Sequence, residues 1–191
     1  MPSLEPQAWN GKSRMGSVTV VAGGAGSGKT TLARALCAAT GARLLDLDAV
    51  TADLVARAMA ERPGESEAAV LAGIREERYA LLVDTARRER GGGDVVLAAP
   101  FTREIAGAEG WARLVEAVGG GPVALVWIEV SPRERARRLR MRGASRDAHL
   151  READAAPAVA PPGVPHLVVA AELPTAVKVG LVTSQFDNGT T

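Results

Sequence analysis

The chain has 191 residues, the size of one ordinary domain, and a chain of this length buries about 70% of its unfolded surface, enough for a core without staples. Its 23 Lys and Arg against 22 Asp and Glu leave a net charge of +1, which disfavours a cationic coat for nucleic acid or a membrane surface. One cysteine, Cys37, excludes an intrachain disulfide framework and a cysteine-cluster zinc site, and two histidines, His149 and His166, leave little room for a histidine metal site.

Residues 1–16 are polar and broken by Pro2, Pro6, Gly11 and Gly16, and read as a mobile leader. They contain no long apolar stretch of the secretory type, and no apolar run elsewhere approaches the ~18 residues of a membrane span, so a cytoplasmic protein is expected. Ser17–Ala22 is a β-branched run that predicts a buried strand, followed by a glycine-rich loop over Gly23–Gly28. Thr30–Thr40 carries Leu32, Ala35, Leu36 and Ala39 on one helical face, with Gly41 as a stop. Cys37 lies on that helix and reads as a core residue.

The alternation continues. Arg43–Leu47 predicts a second strand, Ala49–Ala60 a helix, and Glu65–Arg90 one long helix ended by three glycines. Asp94–Ala99 is a third strand, Glu109–Val118 a helix, and Val123–Val130 a fourth strand. Pro132–Arg142 is an arginine-dense helix, residues 143–165 a Gly/Pro/Ala-rich loop, and Leu167–Ala170 a fifth strand. Pro174–Gln185 reads as either a short helix or an irregular tail. Strands alternating with helices predict an α/β fold whose parallel sheet is covered on both faces.

The stretch Gly23-Gly24-Ala25-Gly26-Ser27-Gly28-Lys29-Thr30 fits G-x-x-x-x-G-K-[ST] between a predicted strand and a predicted helix. Its glycines allow successive N–H groups to turn inward as an anion nest, and the helix N-terminus adds partial positive charge. In this arrangement Lys29 reaches the β- and γ-phosphates and the Thr30 hydroxyl ligates Mg²⁺, with Gly24, Ala25, Gly26, Ser27, Gly28 and Thr31 completing the nucleotide-binding candidates. The chain has 20 arginines and only three lysines, Lys12, Lys29 and Lys178, so each remaining lysine is worth examining.

Neither D-x-x-G with N-K-x-D nor an acid at the end of the third strand is present, which argues against a GTPase and a motor-type ATPase. The metal-side carboxylate must come from elsewhere, and Asp46 and Asp48 at the end of the second strand are the source. At spacing i, i+2 they share one face if the strand persists. Asp46 then serves Mg²⁺ and Asp48 the acceptor hydroxyl; a helix cap is the other open reading of each.

With these residues the chain resembles the small-molecule kinase branch of P-loop proteins, notably shikimate and gluconate kinases. Leu44-Leu45-Asp46-Leu47-Asp48 is similar to the LLDTD segment of shikimate kinases, and Ile128–Arg138 to the strand and helix leading into their LID. The resemblance runs from about Val18 to Pro174. It implies a P-loop NTPase fold of three α/β/α layers, with a five-stranded parallel sheet and a small LID over about 140–160. The kinase domain would span 17–180 and a tail 181–191. It further implies Mg²⁺ and ATP as cofactors, a small-molecule acceptor as partner, and a monomer or weak dimer without nucleic acid or membrane contact. Arg138 matches the arginine that covers the adenine ring, and Pro174 the proline on the ring's other side. Arg142 and Arg146 fall in the LID, where Arg142 is the catalytic candidate and Arg146 a substrate-side one. Arg75 and Arg103 are candidates for holding an anionic acceptor, although the third strand ends in Ala98-Ala99-Pro100 where shikimate kinases carry a glycine triplet. Two other readings stay open: a zeta-toxin-like or antibiotic phosphotransferase, and a nucleotide-binding regulatory protein without turnover.

Overall fold

The computed structural model describes residues 16–134, 137–138 and 160–187. Five strands, β1 (Val18–Gly23), β2 (Arg43–Asp46), β3 (Val95–Ala98), β4 (Val123–Glu129) and β5 (Leu167–Ala170), form one sheet in the order β2-β3-β1-β4-β5. Every pairing is parallel. Asp46 lies level with Ala98, and Ala98 with Val21, so the carboxyl ends of the three strands meet beside the loop that leaves β1. Ligands of open parallel sheets bind at that edge.

Both sheet faces are covered, which explains why β1 is buried at all six positions. Val18, Val20 and Ala22 point into one core with Leu82, Ala86 and Leu114, from α5 (Arg75–Glu89) and α6 (Ala108–Ala117). Val21 points the other way, toward Leu32, Leu36 and Val182 of α1 (Lys29–Thr40) and α7 (Thr175–Asp187). Cys37 is half-buried against this second core. Of the expected tail, residues 181–187 continue α7, whose Val182 is fully buried.

Two helices expected as single elements are each divided. The one over 49–60 becomes α2 (Leu47–Val50) and α3 (Ala52–Glu61), broken at Thr51. The Thr51 hydroxyl donates to Leu47 O at 2.6 Å, a back-bond that competes with helix continuation. The helix over 65–90 becomes α4 (Glu67–Gly73) and α5, broken at Ile74 after Gly73. The turn lets Val70 and Ile74 pack with Ala58 of α3 as a small satellite core while α5 lies along the sheet.

At the opposite edge from the site, Arg90 is fully buried at the end of α5. Its guanidinium donates to the carbonyls of Gly16, Val118 and Gly120, tying the start of β1 to the turn before β4. Desolvation lowers its pKa. Arg90→Ala should cost about 3–5 kcal/mol, because it leaves a void and three carbonyls without their donor. Thermal denaturation should show a Tm lower by about 10 °C; an unchanged Tm would mean that water replaces the guanidinium without penalty.

Candidate active site

The glycine loop is built by backbone conformations that side chains resist. Gly26 and Gly28 have φ of 75° and 96°. A Cβ at Gly23 would lie 2.7 Å from Ser27 Oγ and 3.0 Å from Ile128 O, so the loop can close only with glycine there. Ser27 is fully buried, and its Oγ has no hydrogen-bond partner among the described residues. α1 begins at Lys29 with no side-chain cap, so its first-turn N–H groups face the loop's mouth without a carboxylate or hydroxyl of their own. An uncapped N-terminus of a twelve-residue helix behind a glycine nest fits a phosphate chain. Lys29 Nζ donates to Gly24 O at 2.8 Å, which lays its ammonium across the nest.

Thr30 and Asp46 are already joined. The Thr30 hydroxyl donates to Asp46 Oδ2 at 2.7 Å, leaving its oxygen lone pairs for a cation. Asp46 Oδ1 accepts from the backbone N–H groups of Asp48 at 3.0 Å and Ala49 at 3.4 Å. Asp46 is therefore both the cap of α2 and the partner of Thr30, one oxygen for each task. No group of three or more acids, histidines or cysteines gathers as a cage among the described residues. The donor set suits Mg²⁺, which keeps waters and phosphate oxygens as its other ligands.

β2 ends at Asp46, so the two aspartates do not share a strand face. Asp48 reaches the site from α2 instead. A cavity of about 220 Å³ opens over the loop, lined by Lys29, Thr30, Asp46 and Asp48 with Ala25, Leu47, Leu71, Arg78, Ala98, Ala99 and Pro100. The strand end without an acid thus forms part of its wall.

Arg78 is one residue of the site that sequence reasoning missed. Its guanidinium, 9% exposed, donates from Nη2 to Asp48 Oδ1 at 2.7 Å and from Nε to Thr51 Oγ1 at 3.0 Å. Of the three expected substrate-side arginines, Arg75 and Arg103 lie outside the cavity lining and Arg146 lies outside the described residues. Arg75 holds Glu104 through Nη2, 2.9 Å from both carboxylate oxygens, and stacks 4.1 Å over the Tyr79 ring. Arg103 pairs with Glu76 at 2.6 Å on the surface.

Arg138 bridges the loop to the segment after β5. Nη1 donates to Ser27 O at 3.1 Å and Nη2 to Ala171 O at 3.0 Å. Its Nε binds Glu134, whose carboxyl is pulled down to about 2 by hydrogen bonds from Arg137 and Arg138. Lys178 was also missed: it is buried, and its Nζ donates to the same Ala171 carbonyl at 3.1 Å. Desolvation lowers its pKa, and the neighbouring Arg138 lowers it further. Pro174 sits just before α7, and Thr31 is exposed on α1. Arg142, Arg146 and the LID over 140–160 lie outside the described residues, except Ala160.

The wall beyond β3 is held by Tyr79. Phe101, a non-glycine residue at φ 51°, donates its N–H to Tyr79 Oη at 3.0 Å and meets the ring edge-on at 5.5 Å. Burial pushes the Tyr79 phenol up to about 12, against about 10 for a free tyrosine. This folded value lies above the unfolded one, so the contribution to stability is complete below pH ~10 and is lost as pH rises toward ~12. Tyr79 is the chain's only tyrosine, so phenolate absorbance reads it alone. The titration midpoint should lie near 12 in the folded protein and near ~10 in urea; equal midpoints would show an accessible phenol.

A glycine loop that leaves the central strand of such a sheet and opens on an uncapped helix defines a P-loop nucleotide-binding protein of kinase-type fold. Residues 18–160 match the AAA domain, and the chain belongs to that family. Solved structures share the fold. The gluconokinase of Sinorhizobium meliloti 1021 is 22% identical, with a TM-score of 0.60 over 93% of this chain and 94% of that one. The APS kinase of Mycobacterium tuberculosis, in complex with AMPPNP and APS, is 19% identical, with a TM-score of 0.64 over 91% and 98%. The shikimate kinase of Bacteroides thetaiotaomicron is 18% identical, with a TM-score of 0.53 over 91% and 99%. No curated protein matches the chain. No helix among the described residues is long and apolar enough to cross a membrane.

Proposed function

We propose that the protein is a kinase that transfers the γ-phosphoryl group of Mg-ATP to a hydroxyl of a small molecule. The observation that carries this reading is the meeting, in one cavity, of a phosphate nest with Lys29, a joined Thr30–Asp46 pair and a separate carboxylate, Asp48. A binder of nucleotide alone has no need of the last. The neighbours' names, gluconokinase, APS kinase and shikimate kinase, support the same class.

Each residue then has a task. The loop amides and the N-terminus of α1 hold the phosphate chain, and Lys29 neutralises the β- and γ-oxygens. Thr30 and Asp46 would hold Mg²⁺, which when bound offsets the charge on the phosphates. Asp48 orients the acceptor hydroxyl and takes its proton as the oxygen attacks phosphorus. Arg78 fixes that carboxylate in direction. Arg138 and Pro174 flank the base, where a guanidinium can stack. Arg142 and Arg146 close from the LID and stabilise charge on the transferring group. Positioning and electrostatics supply the rate.

The test is ADP release with Mg-ATP over a panel of metabolites, sugars, nucleosides, sugar nucleotides and antibiotics, with Lys29→Ala as the blank. Acceptor-stimulated release that disappears in the blank is the expected result. Tight nucleotide binding with no stimulation anywhere in the panel would favour the regulatory reading instead.

A further inference from the structure

We infer that the acceptor is an uncharged, hydroxyl-rich molecule, and not a carboxylate, phosphate ester or sulfate; the inference rests on the kinase reading above. Among the described residues Arg78 lines the cavity while Arg75, earlier on α5, and Arg103, beyond β3, lie outside its lining, and each of the three is bonded to a carboxylate. Arg78 holds Asp48, Arg75 holds Glu104 and Arg103 holds Glu76.

In the two better-buried pairs each cation is already balanced by a carboxylate. Arg75 and Glu104 are 17% and 19% exposed, so solvent screens their attraction poorly. One nitrogen of Arg75 bonds both oxygens of Glu104, and its flat face lies on Tyr79. Arg78 is fixed at two points. The Thr51 hydroxyl gives its one proton to Leu47 O, so it can only accept from Arg78 Nε, while Nη2 is held by Asp48. The third pair, Arg103 with Glu76, stands at the surface outside the cavity lining.

The charge of the cavity follows. Its lining carries two cations, Lys29 and Arg78, and two carboxylates, Asp46 and Asp48. The nucleotide adds negative charge, to which Lys29 and the end of α1 respond. An anionic acceptor would lie beside that triphosphate with its charge uncompensated by any unpaired arginine of these three. A buried charge without a counter-charge is expensive, whereas a hydroxyl is not once it is hydrogen-bonded. A polyol or sugar matches what is present: its hydroxyls donate to the Asp48 carboxylate and bring no charge that the lining would have to balance. Leu71, Ala98, Ala99 and Pro100 supply apolar wall for the carbon faces of a ring.

The experiment uses probe pairs that differ in charge and little in size: D-glucitol with D-gluconate, and methyl shikimate with shikimate. Binding to the full chain loaded with Mg-AMPPNP is followed by ligand-observed NMR. The neutral member of a pair should bind at least about tenfold more tightly. Glu104→Gln releases Arg75, one turn along α5 from Arg78, and should tighten the anionic member by about tenfold while leaving the neutral one unchanged. An anionic member that binds the wild-type protein as well as its neutral counterpart overturns the inference, whether or not the variant folds. If no member of either pair binds, the cavity is not a polyol site and the inference falls. The kinase reading is judged separately, by Lys29-dependent ADP release over the wider panel, so the two failures are told apart.

Discussion

Lys29→Ala should lower kcat/KM for phosphoryl transfer by at least about 10²–10³-fold, the usual effect of removing a donor aimed at developing charge. The lysine ammonium is the one side-chain cation of the loop and lies across its mouth on Gly24 O. Among the described residues the two nearest guanidinium groups are engaged elsewhere: Arg78 on Asp48 and Thr51, and Arg138 on Ser27 O and Ala171 O. Stability should change little, within about 0.5 kcal/mol, because the half-buried lysine packs into no core cluster. Initial rates paired with thermal melts separate the two effects. Wild-type turnover in the variant would mean that the loop does not hold the reacting phosphates.

Asp48→Asn should lower kcat by about 10²–10⁴-fold, the range for loss of a general base. The substitution is nearly isosteric, and the amide oxygen can still accept from Arg78, so the guanidinium keeps a partner. Asp48 is half exposed, and the lost ion pair should cost about 1 kcal/mol or less. Nucleotide affinity should stay at the wild-type value, since Thr30, Asp46 and the loop are untouched. A variant with intact kcat would place proton removal elsewhere; one that loses nucleotide affinity as well would make Asp48 part of the metal site.

The contrast between Asp46 and Asp48 shows what was legible in the sequence. The glycine loop, its strand and its helix could be read because a local motif dictates local structure. The choice for Asp46, cap or metal partner, was open in the sequence because one carboxylate has two oxygens: Oδ1 caps α2, and Oδ2 accepts from Thr30. Spacing would place Asp46 and Asp48 on one face if the strand persisted, but the cap ends the strand, and Asp48 lies in the first turn of the helix that follows. All five strands were legible to within two residues at either end, since each is apolar and bounded by turn residues.

Arg78 was missed although the sequence carried a signal. Val70, Ile74, Arg78, Leu82, Ala86 and Arg90 recur at intervals of four, and all six are buried. An arginine within an apolar stripe predicts a buried guanidinium with fixed partners, which is what Arg78 and Arg90 have. Their partners could not be read, because Asp48 is 30 residues from Arg78 in sequence, and Arg90 binds only backbone carbonyls. The pairing of Arg75 with Glu104, 29 residues away, is likewise tertiary. Lys178 had its own signal, a lysine kept in a chain that prefers arginine, but its acceptor is one carbonyl oxygen that only the fold brings near.

The most direct test of the account is ³¹P NMR of a reaction mixture containing the full chain, Mg-ATP and the acceptor that stimulates ADP release. The γ-phosphoryl group should appear as a phosphomonoester of that acceptor, formed in step with ADP and absent with Lys29→Ala. Phosphorus that appears only as inorganic phosphate, at a rate the acceptor does not alter, would make the protein a hydrolase and contradict the account.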